Sequence, residues 1–384
     1  MHASTRPLRL LIMTDTAILA PGGSERFLRN LLNGLARDDY AIDVLQLSAP
    51  PEPATCVAQL DHSAVRLLHQ PVRAVYGPPG LAAYRAVRRR VLHGDYDIVQ
   101  SQHEKSDLIN ALLPRVTGVS RISNRRDMGF QKNFRTRAAF RRANARFDRI
   151  VAPSRSILDA LVAGENADSG RCVAIPNGVD TARFHAVDAA ERTRLRAALG
   201  FGADECLIGC VASFTPVKRH DILVDAFAQA QRRFPQARLL LIGDGPLRSD
   251  VEERSRASGA AHAIRFLGSR GDVENILPAL DVFALASSTE GMSNAILEAQ
   301  ACGVAVVATA VGGNVELVQQ QATGVLVPAL QPDALAEALA NLIAAPARRS
   351  ELGSAAQRRV EREYSTQAMV NGYERLYREL AHAG

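Results

Sequence analysis

Cysteine is scarce in this chain and is never paired in sequence. Five cysteines are spread over 384 residues, mostly in apolar segments, and no CxxC pair occurs: Cys56, Cys172, Cys206, Cys210 and Cys302. Such spacing argues against a disulfide framework or a zinc site, because both need cysteines at characteristic intervals. We expect buried free thiols.

Long apolar runs are also missing. No run reaches the roughly 18 residues that a membrane helix requires. The N-terminal residues lead directly into a predicted strand at residues 8–13 (LRLLIM), without a signal-peptide pattern. These features predict a cytoplasmic protein.

Aromatic residues make up only 5% of the chain. The sequence also has no zinc-finger spacing and no aromatic motif of the RNA-binding type, so a nucleic-acid partner is not expected. Hydrophobic residues at 47% and charged residues at 22% are typical of a globular protein, and the length suits two domains.

Positive charge is concentrated in the first half. Residues 1–185 carry 26 lysines and arginines against 17 aspartates and glutamates. Within them, residues 121–149 hold ten basic and two acidic residues, and Arg85, Arg88, Arg89 and Arg90 form a second cluster. Either this is a solvated arginine-rich surface, or it contacts an anionic membrane surface or a phosphorylated acceptor.

Short apolar runs alternate with helical patterns along the whole chain, which indicates parallel sheets covered by helices. Strands are predicted at 8–13, 41–47, 64–68, 97–101, 121–124, 149–153 and 172–175, and then at 206–212, 238–243, 264–268, 282–287, 304–309 and 324–328. A break at Pro176–Asp180 separates the two series. We therefore predict an α/β protein with two Rossmann-like domains, residues 1–180 and 181–364, with a final helix (365–384) returning to the first.

The most informative segment runs from Glu290 to Gly303. The predicted strand at 282–287 precedes it, and helical spacing of apolar residues begins near Ser293 or Asn294, either of which suits the N-cap. Glu290 is then placed in the loop and Glu298 in the first turns. Both carboxylates can face the carboxyl end of the sheet, where open α/β folds bind ligands. Alone, each could equally be a solvated or helix-end glutamate.

Two further segments suit phosphate binding. Gly22 and Gly23 open a helix, and glycines at a helix N-terminus let backbone N–H groups approach a phosphate. Lys218 follows a predicted buried strand, so its charge can stabilise a diphosphate leaving group at the same edge of the second sheet. Gly243 and Gly245 do not form a dinucleotide fingerprint, because the third glycine is missing.

In this order the motifs resemble glycosyltransferase family 4, the retaining nucleotide-sugar glycosyltransferases of the GT-B fold. The resemblance covers nearly the whole chain and rests on six segments: G-G-S-E-R (22–26), I-P-N-G-V-D (175–180), L-I-G-D-G-P (241–246), F-L-G (266–268), E-G-M-S-N-A-I-L-E-A-Q-A-C-G (290–303) and G-G-N-V-E (312–316). It implies two domains facing each other across a cleft, with the donor bound by the second.

The resemblance also implies roles for individual residues. Glu298 would hold the ribose hydroxyls and Glu290 the hydroxyls of the transferred sugar, while Lys218 would meet the diphosphate. His103 matches the family's first-domain histidine, which faces the sugar and acceptor. The remaining donor-binding positions are implied by their place in the motifs: Gly22, Gly23, Gly268 to Arg270 near the base, and the backbone of Gly291, Met292, Ser293 and Asn294.

One position departs from the family pattern. Members commonly carry an arginine five or six residues before the lysine, where this chain has Ala212 and Ser213. The second cation could come from Arg219, or from Arg125 or Arg126 of the first domain. Alternatively, Lys218 acts with backbone and hydroxyl donors alone, Ser213 among them.

These features predict a retaining, metal-independent transferase that needs no cofactor. It would move a sugar from a UDP- or GDP-linked donor to a glycan or lipid-linked acceptor in cell-surface polysaccharide, lipopolysaccharide or glycolipid synthesis. A peripheral membrane location would suit such an acceptor. The alternatives are a non-hydrolysing nucleotide-sugar epimerase and a non-catalytic nucleotide- or glycan-binding partner of the same fold.

Overall fold

The structure is a computed structural model, and it describes residues 6–20, 22–36, 38–49, 60, 64–72, 77–126 and 134–382. Internal contacts divide the chain into two compact units. Unit 1 comprises residues 1–178 and 366–384, and unit 2 comprises residues 179–365. Cys56, parts of the basic stretch at 121–149 and the last two residues lie outside the described residues.

Unit 1 is built on a seven-stranded parallel sheet with the strand order β3-β2-β1-β4-β5-β6-β7. Its strands are β1 Leu8–Thr14, β2 Tyr40–Gln46, β3 Val65–His69, β4 Ile98–Ser101, β5 Ser120–Asn124, β6 Arg149–Ala152 and β7 Cys172–Ala174. The order changes direction between β1 and β4. This is the switch point beside which open α/β sheets bind ligands.

Helices cover both faces of this sheet. They are α1 Gly23–Gly34, α2 Gly77–His93, α3 Glu104–Leu112, α4 Phe134–Ala143, α5 Arg155–Glu165 and, at the far end of the chain, α14 Thr366–His382. Helix α14 buries Met369, Tyr373 and Tyr377 against α1 and the sheet. The prediction that the last helix returns to the first domain is therefore confirmed.

Unit 2 contains a six-stranded parallel sheet with the order β10-β9-β8-β11-β12-β13. Its strands are β8 Cys206–Val211, β9 Ala237–Ile242, β10 Ile264–Gly268, β11 Val282–Leu285, β12 Ala305–Thr309 and β13 Val325–Val327. The strands are almost continuously apolar and buried, as expected when helices cover both faces of a parallel sheet. Each predicted strand is present in the two sheets, within a few residues of its predicted bounds.

The helices of unit 2 are α6 Ala189–Ala198, α7 His220–Arg233, α8 Arg248–Ala257, α9 Val273–Ile276, α10 Asn294–Ala301, α11 Asn314–Leu317, α12 Pro332–Ala344 and α13 Pro346–Glu363. Helix α10 follows β11, and the short 3₁₀ helix Pro216–Lys218 follows β8. Because β8 and β11 are neighbours, both segments leave the same carboxyl edge of the sheet. The α/β fold prediction is thus confirmed.

In the described part of the chain, no helix combines the length and apolar character needed to cross a bilayer. Cys206, Cys210 and Cys302 are buried free thiols, and Cys172 is half-buried. Burial raises the pKa of Cys206 and Cys210 to about 12, so both stay protonated.

Candidate functional site

Lys218 and Glu290 form an ion pair at the carboxyl edge of the unit 2 sheet. The ammonium nitrogen lies 2.5 Å from Oε1 of Glu290, and the Ser287 hydroxyl donates to the same oxygen at 2.7 Å. Glu290 is buried, with 8% of its surface exposed, whereas Lys218 is half-buried. The pair therefore places an oriented cation and an oriented carboxylate side by side at the carboxyl edge of this sheet.

Hydrogen bonds hold the two loops of this pair together. The backbone N–H of Ser288 donates to the carbonyl of Val217 at 2.8 Å, which joins the loop after β11 to the 3₁₀ helix after β8. On the other side, the Thr309 hydroxyl donates to the carbonyl of Ser287 at 2.6 Å. The strand ends β8, β11 and β12 thus fix the backbone around Glu290.

Glycines of the G-G-N-V-E segment pack directly against the Glu290 loop. A Cβ atom on Gly312 would lie 1.7 Å from the carbonyl oxygen of Glu290, and one on Gly313 would lie 2.2 Å from that of Gly291. Gly312 also has a positive φ of 48°. Only glycine fits this backbone contact, which gives a physical reason for the motif.

Helix α10 begins where the sequence predicts. Ser293 is its N-cap, and its hydroxyl accepts a hydrogen bond from the N–H of Ile296. The N-terminus of a helix carries a partial positive charge, which favours an anion beside it. Glu298 lies in the second turn and is 5% exposed.

Arg183 is held by residues that follow the Gly268 to Arg270 segment in unit 2. Its guanidinium donates to the carbonyl of Gly271 at 3.2 Å and to the carboxylate of Glu274 at 2.8 Å. The hydrogen bond with Glu274 and the negative charge of Glu298 raise the pKa of Arg183. Sequence reasoning missed this residue, although it follows the I-P-N-G-V-D segment by three positions.

The segment from Gly268 to Arg270, proposed to lie by the base, already makes hydrogen bonds within unit 2. Gly268 adopts a positive φ of 69°, and its carbonyl accepts from the N–H of Gly243 at 2.8 Å. Arg270 pairs with Asp272 at 2.6 Å, and this hydrogen bond raises the pKa of Arg270. The loop is therefore anchored at its first residue and solvated at Arg270.

The segment from Ser213 to His220 is organised around an aromatic stack. The Phe214 and His220 rings lie parallel, with centroids 4.2 Å apart. His220 is 3% exposed, and burial lowers its pKa to about 4, with a further contribution from the nearby charge of Lys218. A neutral imidazole thus backs the 3₁₀ helix that carries Lys218.

Two of the three arginines proposed as the second cation are bound to carboxylates. The guanidinium of Arg219 makes a two-pronged hydrogen bond with Asp221, closest at 2.6 Å. Arg125 is buried, 3.2 Å from Asp107 and 3.6 Å from Glu165. Both positive charges are neutralised where they stand.

Arg126 is in a different situation. Its guanidinium stacks on the Phe27 ring at 3.6 Å and donates to the side-chain oxygen of Asn177 at 2.6 Å. Nε and Nη1 are buried and have no hydrogen-bond partner in the described residues. Burial lowers its pKa to about 10.

His103 lies at the carboxyl edge of the unit 1 sheet, at the N-cap of α3. Its Nε2 is 2.8 Å from the Ser24 hydroxyl, in the first turn of α1, and its Nδ1 is 3.2 Å from the Thr14 hydroxyl. The structure therefore brings His103 next to the turn formed by Gly22 and Gly23. Which ring nitrogen donates depends on the tautomer.

The site residues thus fall into one group on each unit. Unit 2 carries Ser213, Lys218, Glu290 and Glu298, and unit 1 carries His103 with the glycine turn. Ser287 and Thr309, which position Glu290, gave no signal in sequence beyond their place at strand ends. No cluster of three or more histidines, cysteines or carboxylates suited to a metal occurs among the described residues.

Two family models and several known proteins match this chain. The family model Glycosyltransferase Family 4 matches residues 21–183, and the model Glycosyl transferases group 1 matches residues 205–345. A mannosyltransferase of Mycolicibacterium smegmatis, GDP-mannose-dependent alpha-(1-6)-phosphatidylinositol monomannoside mannosyltransferase, is 31% identical over 309 residues, 76% of this chain and 78% of that protein. The chain belongs to glycosyltransferase family 4.

Another relative and two solved structures also resemble this chain. The D-inositol 3-phosphate glycosyltransferase of Mycobacteroides abscessus is 29% identical over 89% of this chain and 83% of its own. Anabaena HepE in complex with UDP and glucose superposes with a TM-score of 0.82 at 21% identity, covering 97% of this chain and 100% of that one. Sucrose-phosphate synthase of Thermosynechococcus elongatus superposes with a TM-score of 0.82 at 23% identity, covering 98% of this chain and 100% of that one. The GT-B fold is therefore confirmed.

Proposed function

We propose that this family 4 glycosyltransferase moves a sugar from a nucleotide diphosphate sugar to an acceptor hydroxyl with retention at the anomeric carbon. The observation that carries the proposal is the Lys218–Glu290 pair beside the N-terminus of α10, with buried Glu298 in the same helix. A cation, a helix N-terminus and two carboxylates at one sheet edge suit a diphosphate, a sugar and a ribose.

In this proposal each group has one task. Lys218 and the N–H groups of Gly291 to Asn294 stabilise the negative charge that develops on the diphosphate as the anomeric C–O bond breaks. Glu290 accepts hydrogen bonds from sugar hydroxyls, and Glu298 accepts them from the ribose. Gly268 to Arg270 lie beside the base, and Ser213 beside the phosphates.

The retaining step balances without a protein nucleophile. The acceptor oxygen forms a bond to the anomeric carbon on the face that the diphosphate leaves, and the departing phosphate oxygen takes the acceptor's proton. His103 lies on the acceptor side and contacts the sugar. Because Lys218 and helix N–H groups carry the charge stabilisation, we propose that the reaction needs neither a metal nor a cofactor.

We propose a lipid-linked or glycan acceptor, used beside an anionic membrane surface. One named relative supports a lipid acceptor, a phosphatidylinositol monomannoside mannosyltransferase. The donor would be GDP- or UDP-linked, since the mannosyltransferase is named GDP-mannose-dependent and HepE was solved with UDP.

A thermal-shift screen with UDP, GDP, ADP and their sugars tests donor binding. The correct ligand at about 100 times its dissociation constant adds roughly 2.7 kcal/mol of stability. Product analysis with the donor so identified and a lipid acceptor then tests transfer, and the anomeric configuration tests retention. Absence of any nucleotide-dependent shift, or an isomerised donor without acceptor, would contradict the proposal.

A further inference from the structure

The structure divides the arginines of the basic first half into an inward and an outward set. Arg121 donates to the carbonyls of Asn110 and Pro114, and Arg146 donates to those of Ala111 and Leu113. Like Arg125, these side chains hold unit 1 together. They are therefore unavailable to an external anion.

The outward set lies on helices α2 and α4. Neither helix contains an acidic residue. Seven of their arginines are exposed: Arg85, Arg88 and Arg89 on α2, and Arg135, Arg137, Arg141 and Arg142 on α4. The exposed charge of both helices is therefore uniformly positive.

Both helices cover the same face of the unit 1 sheet. Along β1, Leu11 and Met13 pack with α2 and α3, whereas Leu10 and Ile12 pack with α1 and α14. Along β6, Ile150 packs with α4 and α5. Helix α3 packs both with Leu11 and Met13 and with Ile150, and it contacts α4. Helices α2 to α5 thus form one layer, opposite α1 and α14.

The same layer exposes large apolar side chains. In the described part of unit 1, those that are exposed all belong to this layer: Leu81, Leu92, Leu112, Phe134 and Val162. Phe134 is 77% exposed and Leu112 is 65% exposed. Apolar and basic side chains therefore share one surface, which we term the α2–α5 face.

On α2 the two kinds of residue form a single stripe. Leu81, Arg85, Arg88 and Leu92 follow one another at spacings of four, three and four residues, which places them on one side of the helix. The opposite side, with Ala83, Val87 and Val91, is buried in the core. An arginine-rich helix with apolar residues at both ends of its exposed stripe suits the plane of a membrane interface.

We infer that the α2–α5 face docks on an anionic lipid leaflet. The arginines meet phosphate headgroups, and Leu81, Leu92 and Phe134 enter the boundary of the acyl chains. Helices that follow parallel strands begin at the carboxyl edge of the sheet, so Leu81 and Phe134 lie near the edge that carries His103. The face would therefore bring that edge to a lipid-linked acceptor. The inference depends on the proposed function only for the nature of the acceptor.

Flotation of the full chain with lipid vesicles tests this inference. We expect binding to vesicles of phosphatidylcholine mixed with phosphatidylglycerol, and weak binding to phosphatidylcholine alone. Binding should fall as salt is raised, because salt screens the attraction. No binding to the mixed vesicles at low salt would overturn the inference.

Paired variants separate this face from overall charge. Each basic residue near an anionic leaflet contributes about a fivefold gain in partitioning, so R85E/R88E should lower it by at least about 25-fold. The control R232E/R256E makes the same charge change with exposed arginines of unit 2 and should retain most of the binding. Equal losses in both double variants would reduce the effect to net charge and contradict the inference.

Apolar variants give an independent readout. F134S and L81S/L92S should weaken the binding that remains at high salt, whereas L330S, which changes an exposed leucine of unit 2, should not. Unchanged thermal midpoints would show that the variants fold. Retention on soluble heparin without vesicle binding would assign the face to an acidic macromolecule and overturn the inference. Flotation needs no turnover, so a failure of docking and a failure of sugar transfer remain distinguishable.

Discussion

The ammonium group of Lys218 lies 2.5 Å from the carboxylate of Glu290, although 72 positions separate them in sequence. Glu290 is buried, so removal of the lysine leaves a buried carboxylate without its cation. Breaking one partner of a buried pair is costly. A change in this pair should therefore affect both the stability of the Glu290 loop and the proposed reaction.

Replacement of Lys218 should chiefly lower turnover. We expect Lys218→Ala to lose on the order of 3 kcal/mol of transition-state stabilisation, roughly a hundredfold in kcat/KM. R232A, at an exposed arginine of α7, is the control. Measured together with Glu290→Gln in a double-mutant cycle, the two effects should be non-additive. Near wild-type turnover by the single variant would remove Lys218 from this role.

Glu298→Gln tests the ribose contact. A hydrogen bond to a charged group contributes about 1.5 to 3 kcal/mol, so the dissociation constant of the nucleotide diphosphate should rise by at least about tenfold. Calorimetric titration measures it directly. Glu253→Gln, at an exposed glutamate of α8, should bind as the parent does. An unchanged constant in the first variant would leave Glu298 as a structural residue.

Arg126→Gln tests whether a ligand anion accepts hydrogen bonds from the buried Nε and Nη1 atoms of Arg126. We expect lower kcat/KM, because the charge has donors without partners among the described residues. A higher dissociation constant for the nucleotide would place the anion on the donor, and a higher acceptor KM alone would place it on the acceptor. Arg375→Gln, exposed on α14, is the control. Unaltered kinetics would make Arg126 a packing residue.

His220 should make stability depend on pH. Its pKa is lowered to about 4 in the folded protein but stays near 6.5 in the unfolded chain, so the unfolded state binds more protons between these values. Stability is therefore complete above pH 6.5 and falls by up to roughly 3 kcal/mol as pH drops to 4. His220→Gln should flatten this part of the dependence, measured as thermal midpoint against pH. Parallel curves for both proteins would refute the assignment.

Gly312→Ala tests the contact behind Glu290. The new Cβ would meet the Glu290 carbonyl at 1.7 Å, so the loop must move, and the positive φ adds strain. We expect at least about 1 kcal/mol of destabilisation together with reduced activity. Gly202→Ala, where a Cβ meets nothing within 4 Å, is the matched control. Normal activity in the first variant would show that the loop adapts.

The local pattern of the sequence accounts for most of the architecture. Apolar runs of strand length predict β8 and β11 as buried strands, and Ser293 predicts the start of α10 through its capping side chain. These properties depend on neighbouring residues, so periodicity and capping reveal them. The motif order further points to family 4, to which the chain belongs.

The sequence by itself determined that Lys218, Glu290 and Glu298 follow strand ends of one parallel sheet, because strand periodicity and turn chemistry are local. It could not determine which charges neutralise one another. Only the tertiary structure decided that Glu290 pairs with Lys218 and that Arg219 and Arg125 are bound to carboxylates. It also decided that Arg126 pairs with no carboxylate of the described residues. Such pairings depend on loop backbone and packing between distant segments, which no spacing in sequence specifies.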